Sequence, residues 1–189
     1  LELSSILLRR ASDSNEEVAV KTSLCLARLL EVDKEAGLQL AQRLHKREEV
    51  LVRRAMADVL TRLFRRIGHE AIPFLEDMLQ DDDEIVLAVA ATTVSDLRFI
   101  DSAMWADKVA ILTKHNLPIV RRNLVVNLRD YISEFPDDNR GILTTLWHDG
   151  DEVVRTRLRE LLLRMEEVDP INFSIRITHF KANNVDLQD

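Results

Sequence analysis

Apolar residues recur along this chain with a period of 34 residues. Five valines mark the period: Val18, Val52, Val86, Val120 and Val154. The positions four, eight and eleven residues after each valine are also apolar, with Thr22 as the exception among the twenty positions. Such offsets lie on one face of an α-helix. The pattern therefore predicts five copies of one amphipathic helix.

A second and weaker apolar stripe precedes each copy. It occupies the positions eleven and eight residues before each valine: Leu7, Ala41, Leu75, Val109 and Leu143, and then Arg10, Leu44, Met78, Leu112 and Leu146. Short acidic segments separate this stripe from the helix that follows. Asp33, Asp101 and Asp169 stand where one unit ends and the next begins, and Asp is a favoured N-cap residue. Each unit is therefore predicted to be two antiparallel helices joined by a short polar loop.

Helix pairs of this length cannot bury their apolar faces alone, but they share a continuous core when they stack. The sequence therefore predicts an all-α fold, a right-handed α-solenoid of about five antiparallel helix pairs. The predicted domain covers residues 1–169, and its units are residues 1–33, 34–67, 68–101, 102–135 and 136–169.

The last twenty residues, 170–189, follow a different pattern. Ile171, Phe173, Ile175 and Ile177 alternate with polar residues, and a period of two is typical of a β-strand. We therefore expect an extended tail with a strand over residues 171–180. Such a strand could cap the last helix pair, which is the favoured interpretation, pair with another chain, or belong to a following domain.

Composition agrees with a helical globular protein. Apolar residues make up 46% of the chain and charged residues 31%, and there are only four glycines and four prolines. The single cysteine, Cys25, excludes an internal disulfide and is typical of a reducing compartment, so we expect a cytoplasmic location. No membrane-spanning run and no signal peptide are visible. The chain begins at Leu1 rather than Met, which suggests a segment of a longer protein.

Several segments resemble HEAT repeats. "EEVLVRRAMADVLTRL" and "DGDEVVRTRLRELLLRM" resemble the second helix of such a repeat, and "HEAIPFLEDML" resembles the first. Tetratricopeptide repeats share the period of 34, but their Trp, Gly and Tyr signature is not in phase here. The HEAT resemblance implies that an acidic residue before the second helix and the Arg after its Val form a ladder between neighbouring units. The residues that fit this structural ladder are Glu49, Arg53, Asp83, Arg121, Asp151 and Arg155.

The charges are unevenly distributed along the chain, whose net charge is −7. The five 14-residue segments that begin at the valines hold 14 basic and 7 acidic residues, and the rest of the chain is strongly acidic. The resemblance implies that these second helices line a concave surface, which would then be basic. The arginines that the ladder does not explain are candidates for contacts to phosphates or to an acidic peptide: Arg54, Arg122, Arg129, Arg157, Arg159 and Arg164. The structural alternative is pairing on a solvated helix surface, such as Glu160 with Arg164.

These observations favour a non-enzymatic scaffold that binds a protein partner through the concave surface, within a larger protein or complex. The alternative is a nucleic-acid-binding protein similar to HEAT-like alkylpurine DNA glycosylases, which use Trp and Asp in a basic concave cleft. Trp105 and Asp107 resemble a short part of that family's pattern. A third possibility is a purely structural spacer. We expect no catalytic residue, metal site, cofactor, small-molecule substrate or membrane contact, since no motif for them appears and the five histidines lack ligand spacing.

Overall fold

The computed structural model describes residues 2–135, 141–178 and 180, and every regular element among them is helical. The all-α prediction is therefore confirmed. The α-helices in chain order are α1 (Glu2–Arg10), α2 (Glu16–Leu24), α3 (Leu26–Val32), α4 (Lys34–His45), α5 (Val50–Ile67), α6 (Ile72–Met78), α7 (Glu84–Thr93), α8 (Ser102–Leu112), α9 (Pro118–Val126), α10 (Leu128–Glu134), α11 (Ile142–Trp147), α12 (Glu152–Val168) and α13 (Pro170–Arg176). Two 3-10 segments, Gly68–Ala71 and Val94–Phe99, precede α6 and follow α7.

The helices follow the 34-residue period. The first helices of the successive pairs are α1, α4, α6, α8 and α11, and each is followed by its second helix. Of the twenty stripe positions on the second helices, Val18 alone is only half-buried, and the other nineteen are buried. Thr22, the one polar residue among them, is tolerated in the core because its hydroxyl donates a 2.7 Å hydrogen bond to the carbonyl of Val18. The hydrophobic pattern of the sequence thus gives the core positions of every second helix.

Three of the five second helices are interrupted, at Cys25, at Val94 and at Asn127. Each interrupted helix carries a polar side chain that bonds to a carbonyl four residues earlier. Thr93 donates to the carbonyl of Val89 at 3.0 Å, and Asn123 donates to that of Ile119 at 2.8 Å. Such back-bonding competes with the helix ladder and bends helices.

The chain divides into two compact units, Leu1–Asp96 and Leu97–Asp189, here called the N-terminal unit and the C-terminal unit. In the N-terminal unit α5 packs against α2, α3, α4 and α7. In the C-terminal unit α12 packs against α9, α11 and α13. Trp105 is 1% exposed and lies in the aromatic core of the C-terminal unit, with its ring centroid 5.5 Å from that of Tyr131. The boundary at residue 169 remains a prediction.

The expected strand over residues 171–180 is wrong for its described residues, since Pro170–Arg176 form α13. Asp169 is the N-cap and accepts a hydrogen bond from the backbone N–H of Asn172, and Pro170 stands in the first turn, where a missing N–H is tolerated. Phe173, Ile177 and Phe180 are buried, whereas Ile171 and Ile175 are exposed. The buried residues are spaced by four and three, which is a helical period. Residues 181–189 of the predicted tail lie outside the described residues.

Candidate functional site

Two arginines of α9 hold the loop in front of α12. Arg121 donates to both carboxylate oxygens of Asp149, through Nε at 2.6 Å and Nη2 at 2.8 Å. Arg122 donates to both oxygens of Asp151 at 2.9 and 2.5 Å. Asp151 is also the N-cap of α12, where it accepts the backbone N–H of Val154. The double arginine therefore fastens one helix pair of the C-terminal unit to the start of the next second helix.

The N-terminal unit contains the same arrangement 68 residues earlier. Arg53 of α5 donates to both oxygens of Asp81, at 2.8 and 3.2 Å. Arg54 donates to both oxygens of Asp83, at 3.0 and 2.7 Å, and Asp83 caps α7. We call these four two-bond pairs the arginine clamps. The arginine clamps thus recur after 68 residues, which is the length of two helix pairs.

The arginine clamps lower the pKa of three carboxylates, those of Asp83, Asp149 and Asp151. The bond from Arg54 lowers the pKa of Asp83 to about 2, and the bond from Arg122 does the same for Asp151. Burial acts to raise the pKa of Asp149, but the bonds from Arg121 and from a backbone N–H outweigh it, and the net shift is downward. The carboxylates of Asp83, Asp149 and Asp151 are thus most stable as the anions that their arginines need.

Two residues of the predicted structural ladder, Glu49 and Arg155, have other partners than the ladder would give them. Glu49 pairs with Arg47, not with Arg53. Arg155 donates to the backbone carbonyl of Asp149, in the loop before its own helix. Asp81 and Asp149 were not among the predicted ladder residues. An Asp-x-Asp motif that follows the pairs Arg53-Arg54 and Arg121-Arg122 by 28 residues was the signal that could have identified them.

Four of the six candidate contact arginines are engaged within the protein. Arg54 and Arg122 belong to the clamps. Arg157 donates to the backbone carbonyl of Arg122 at 2.7 Å. The guanidinium of Arg159 lies 5.1 Å above the ring of Trp147, at a distance typical of a cation–π contact. Their binding role remains a prediction, and a partner would have to compete with these contacts.

Arg129 and Arg164 have no such engagement with the described part of the chain. Both side chains are exposed, and neither makes an ion pair or a side-chain hydrogen bond with any residue that the structure describes. The expected pair of Glu160 with Arg164 does not form. The two arginines line one groove of about 440 Å³ in the C-terminal unit. We call it the arginine groove, and its lining residues are Val126, Arg129, Ser133, Leu161, Arg164, Met165, Glu167, Val168, Asp169 and Arg176.

Arg176 is the third arginine of the groove, and sequence reasoning missed it. It lies at the end of α13, and its Nη1 is 3.4 Å from the hydroxyl of Ser133. A strand over residues 171–180 gave no reason to bring Arg176 near Arg129 and Arg164. The helical spacing of Phe173, Ile177 and Phe180 was the available signal, because it turns the remaining polar residues away from the core.

The groove combines positive charge with exposed apolar surface. Val126 is 58% exposed and Val168 is 74% exposed, while Met165 is buried. Two carboxylates, those of Glu167 and Asp169, also line the groove. Asp169 is committed to capping α13, and its bonds to Asn172 hold its pKa below the ordinary value. The arrangement is suited to holding a ligand that carries both a negative charge and an apolar group.

Neither a metal-binding cluster nor a membrane-spanning helix is found in the part of the chain that the structure describes. No group of three or more His, Cys, Asp or Glu in residues 2–135, 141–178 and 180 is placed to hold a metal ion. None of the described helices is long and apolar enough to span a membrane.

Comparison with known proteins identifies similar folds but no sequence family. No family model matches the chain, and no curated protein matches it. The MAST/Orbit N-terminal domain is similar in structure, with a TM-score of 0.58 and 13% identity over 95% of this chain and 97% of that one. A crystal structure of an engineered protein is also similar, with a TM-score of 0.57 and 14% identity over 97% of this chain and 92% of the other.

At these identities the similarity concerns the fold alone. It is consistent with a helical repeat and does not single out the HEAT family. Nothing in these comparisons points to enzymatic activity.

Proposed function

We propose that this chain is a HEAT-like α-solenoid of five helix pairs that acts as a non-enzymatic scaffold, in the cytoplasm and within a larger complex. It binds a protein partner through the arginine groove. Helical repeats present extended surfaces that bind through shape and many distributed contacts rather than through a reacting group. The in-phase burial of the valine stripes supports the repeat architecture.

One observation supports the groove as the binding surface: Arg129 and Arg164 are exposed and without a carboxylate partner among the described residues. Elsewhere the protein pairs Arg53, Arg54, Arg121 and Arg122 with aspartates. Two unpaired guanidinium groups beside exposed valines have no structural role in the described contacts. Arg is also enriched at the energetic centres of protein interfaces.

The nucleic-acid alternative has less support. The indole of Trp105, which the glycosylase resemblance would place in a cleft, is buried in the core. The net charge of −7 opposes binding to a polyanion.

Affinity capture from an extract of the source cells, with three forms of the chain, tests the proposal. The forms are the wild type, a variant with Arg129→Glu and Arg164→Glu, and a control with Arg9→Glu and Lys114→Glu. Arg9 and Lys114 are exposed and lie outside the groove, and the control changes the net charge equally. We expect proteins that the wild type and the control capture and the groove variant loses. Identical protein sets for all three forms would overturn the proposal.

Duplex DNA is titrated in parallel at low salt. The proposal expects no binding that depends on Arg129 and Arg164. DNA binding with a steep salt dependence that these two substitutions abolish would instead support the nucleic-acid alternative.

A further inference from the structure

We infer that the arginine groove takes an acidic and apolar peptide segment of the partner, with at least one carboxylate beside a large aliphatic or aromatic side chain. This inference rests on the proposed function and specifies the partner's chemistry.

The charge balance of the groove sets the sign of its ligand. Arg129, Arg164 and Arg176 face two carboxylates, and one of these, Asp169, already accepts two hydrogen bonds from Asn172. The groove is therefore a local positive site on a protein whose overall charge is negative. Three arginines would strongly repel a basic ligand at short distance. The lining residues of the groove include no cluster of free carboxylates that would offset this repulsion.

The protein's own clamps show the geometry that such a ligand would adopt. Arg122 holds the carboxylate of Asp151 through two parallel bonds of 2.9 and 2.5 Å. Arg121 and Arg54 hold Asp149 and Asp83 in the same way. Bidentate pairing of this kind is the strong form of the arginine–carboxylate bond. Arg129 and Arg164 have the same chemistry available and no carboxylate partner among the described residues.

The walls of the groove require an apolar element in the ligand as well. Val126 and Val168 leave more than half of their surface exposed, and Leu161 is half-buried beside them. The volume of 440 Å³ is within the range of about 300–1,000 Å³ that is usual for ligand pockets, so the groove has room for side chains.

The same lining argues against a nucleic acid as the occupant. None of the groove's lining residues is aromatic, so the groove has no platform on which a base could stack. Apolar walls and the exposed carboxylate of Glu167 would also face a phosphate backbone unfavourably.

Selection from a displayed library of random 16-residue peptides tests the inference, because it does not assume a sequence. The immobilised bait is the full chain, and a counter-selection on the variant with Arg129→Glu and Arg164→Glu removes peptides that bind elsewhere. We expect enrichment of Asp or Glu next to Leu, Ile, Met or Phe. The enriched peptides should lose roughly tenfold or more in affinity on the groove variant and keep their affinity on the Arg9→Glu, Lys114→Glu control.

The outcomes separate this inference from the proposed function. Groove-dependent peptides without acidic residues would overturn the inference and leave the proposed function standing. If no peptide depends on Arg129 and Arg164, and cellular capture shows no dependence on them either, both fail. Selective binding of duplex DNA over the peptides would replace the inference with the nucleic-acid alternative. Thermal unfolding of both variants establishes that each is folded.

Discussion

Arg121 and Asp149 form a two-bond ion pair that joins one helix pair of the C-terminal unit to the loop of the next. The carboxylate of Asp149 is almost completely buried, with 4% of the side chain exposed. A buried anion requires a partner that satisfies both of its oxygens. The clamps therefore fix the distance between successive second helices.

Replacing Asp149 with Asn should lower the free energy of unfolding by roughly 2–3 kcal/mol, because the guanidinium of Arg121 is left partly buried without its counter-charge. Urea titration measures this change. The control is Asp82→Asn, which removes a carboxylate that is 92% exposed and also pairs with an arginine, Arg53. An exposed pair contributes about 0–1 kcal/mol. Equal losses for the two variants would contradict the structural role of the clamps.

Acid should destabilise the protein through Asp83 and Asp151, whose pKa values in the folded state are about 2. Their ordinary pKa is 3.8, so their contribution to stability is complete well above pH 4 and is lost as the pH falls towards 2. Urea titrations between pH 6 and pH 2 measure this loss.

A variant with Asp83→Asn and Asp151→Asn is the control for the acid transition, since Asn also caps helices but does not titrate. It should be less stable than the wild type at pH 6 and lose less stability on acidification. If both proteins lose the same free energy between pH 5 and pH 2, the clamps are not the source of the acid sensitivity.

Gly37 should resist replacement by Ala, although Ala is the better helix former by about 1 kcal/mol. A Cβ atom at Gly37 would lie 2.5 Å from Cδ2 and 3.0 Å from the backbone Cα of Leu30, because α4 and α3 approach closely there. We expect Gly37→Ala to destabilise the protein by about 1–3 kcal/mol. A rise in the melting temperature on this substitution would show that the two helices are further apart than described.

Substitutions of Phe173 and Ile175 should change the stability of the protein unequally, because the two side chains lie on different faces of α13. In a strand they would lie on the same face. Phe173 is 1% exposed and Ile175 is 67% exposed. Phe173→Ala should reduce stability by about 3 kcal/mol, whereas Ile175→Ala should change it by less than about 0.5 kcal/mol. Thermal and urea unfolding of the two variants measure the difference. Similar losses would favour the alternating strand.

Periodicity predicted the core better than it predicted the C-terminal end. The valine stripes identified the buried face because burial on a helix repeats locally, and the sequence carries that repeat. The segment from Ile171 to Ile177 satisfies a period of two and a helical period at once. Asp169 and Pro170 were the deciding signals, since an N-cap followed by Pro in the first turn begins a helix.

The candidate site could be predicted only in part. Arg129 and Arg164 were included among six arginines, but nothing local in the sequence separates them from Arg54 or Arg122. The separation depends on carboxylates 29 residues away, and the regular spacing of the two Asp-x-Asp motifs was the only sign of them in the sequence. Arg176 was missed because its place in the groove depends on α13 being a helix.

The most direct test of acidic-peptide binding is a charge swap between the groove and a selected peptide, measured by fluorescence anisotropy. Arg129→Glu and Arg164→Glu should weaken binding of the acidic peptide roughly tenfold or more, and changing its carboxylates to lysines should restore affinity for this variant only. Restored binding with the swapped pair is the predicted result. A lysine peptide that binds the wild type and the groove variant equally would contradict the role of the arginine groove.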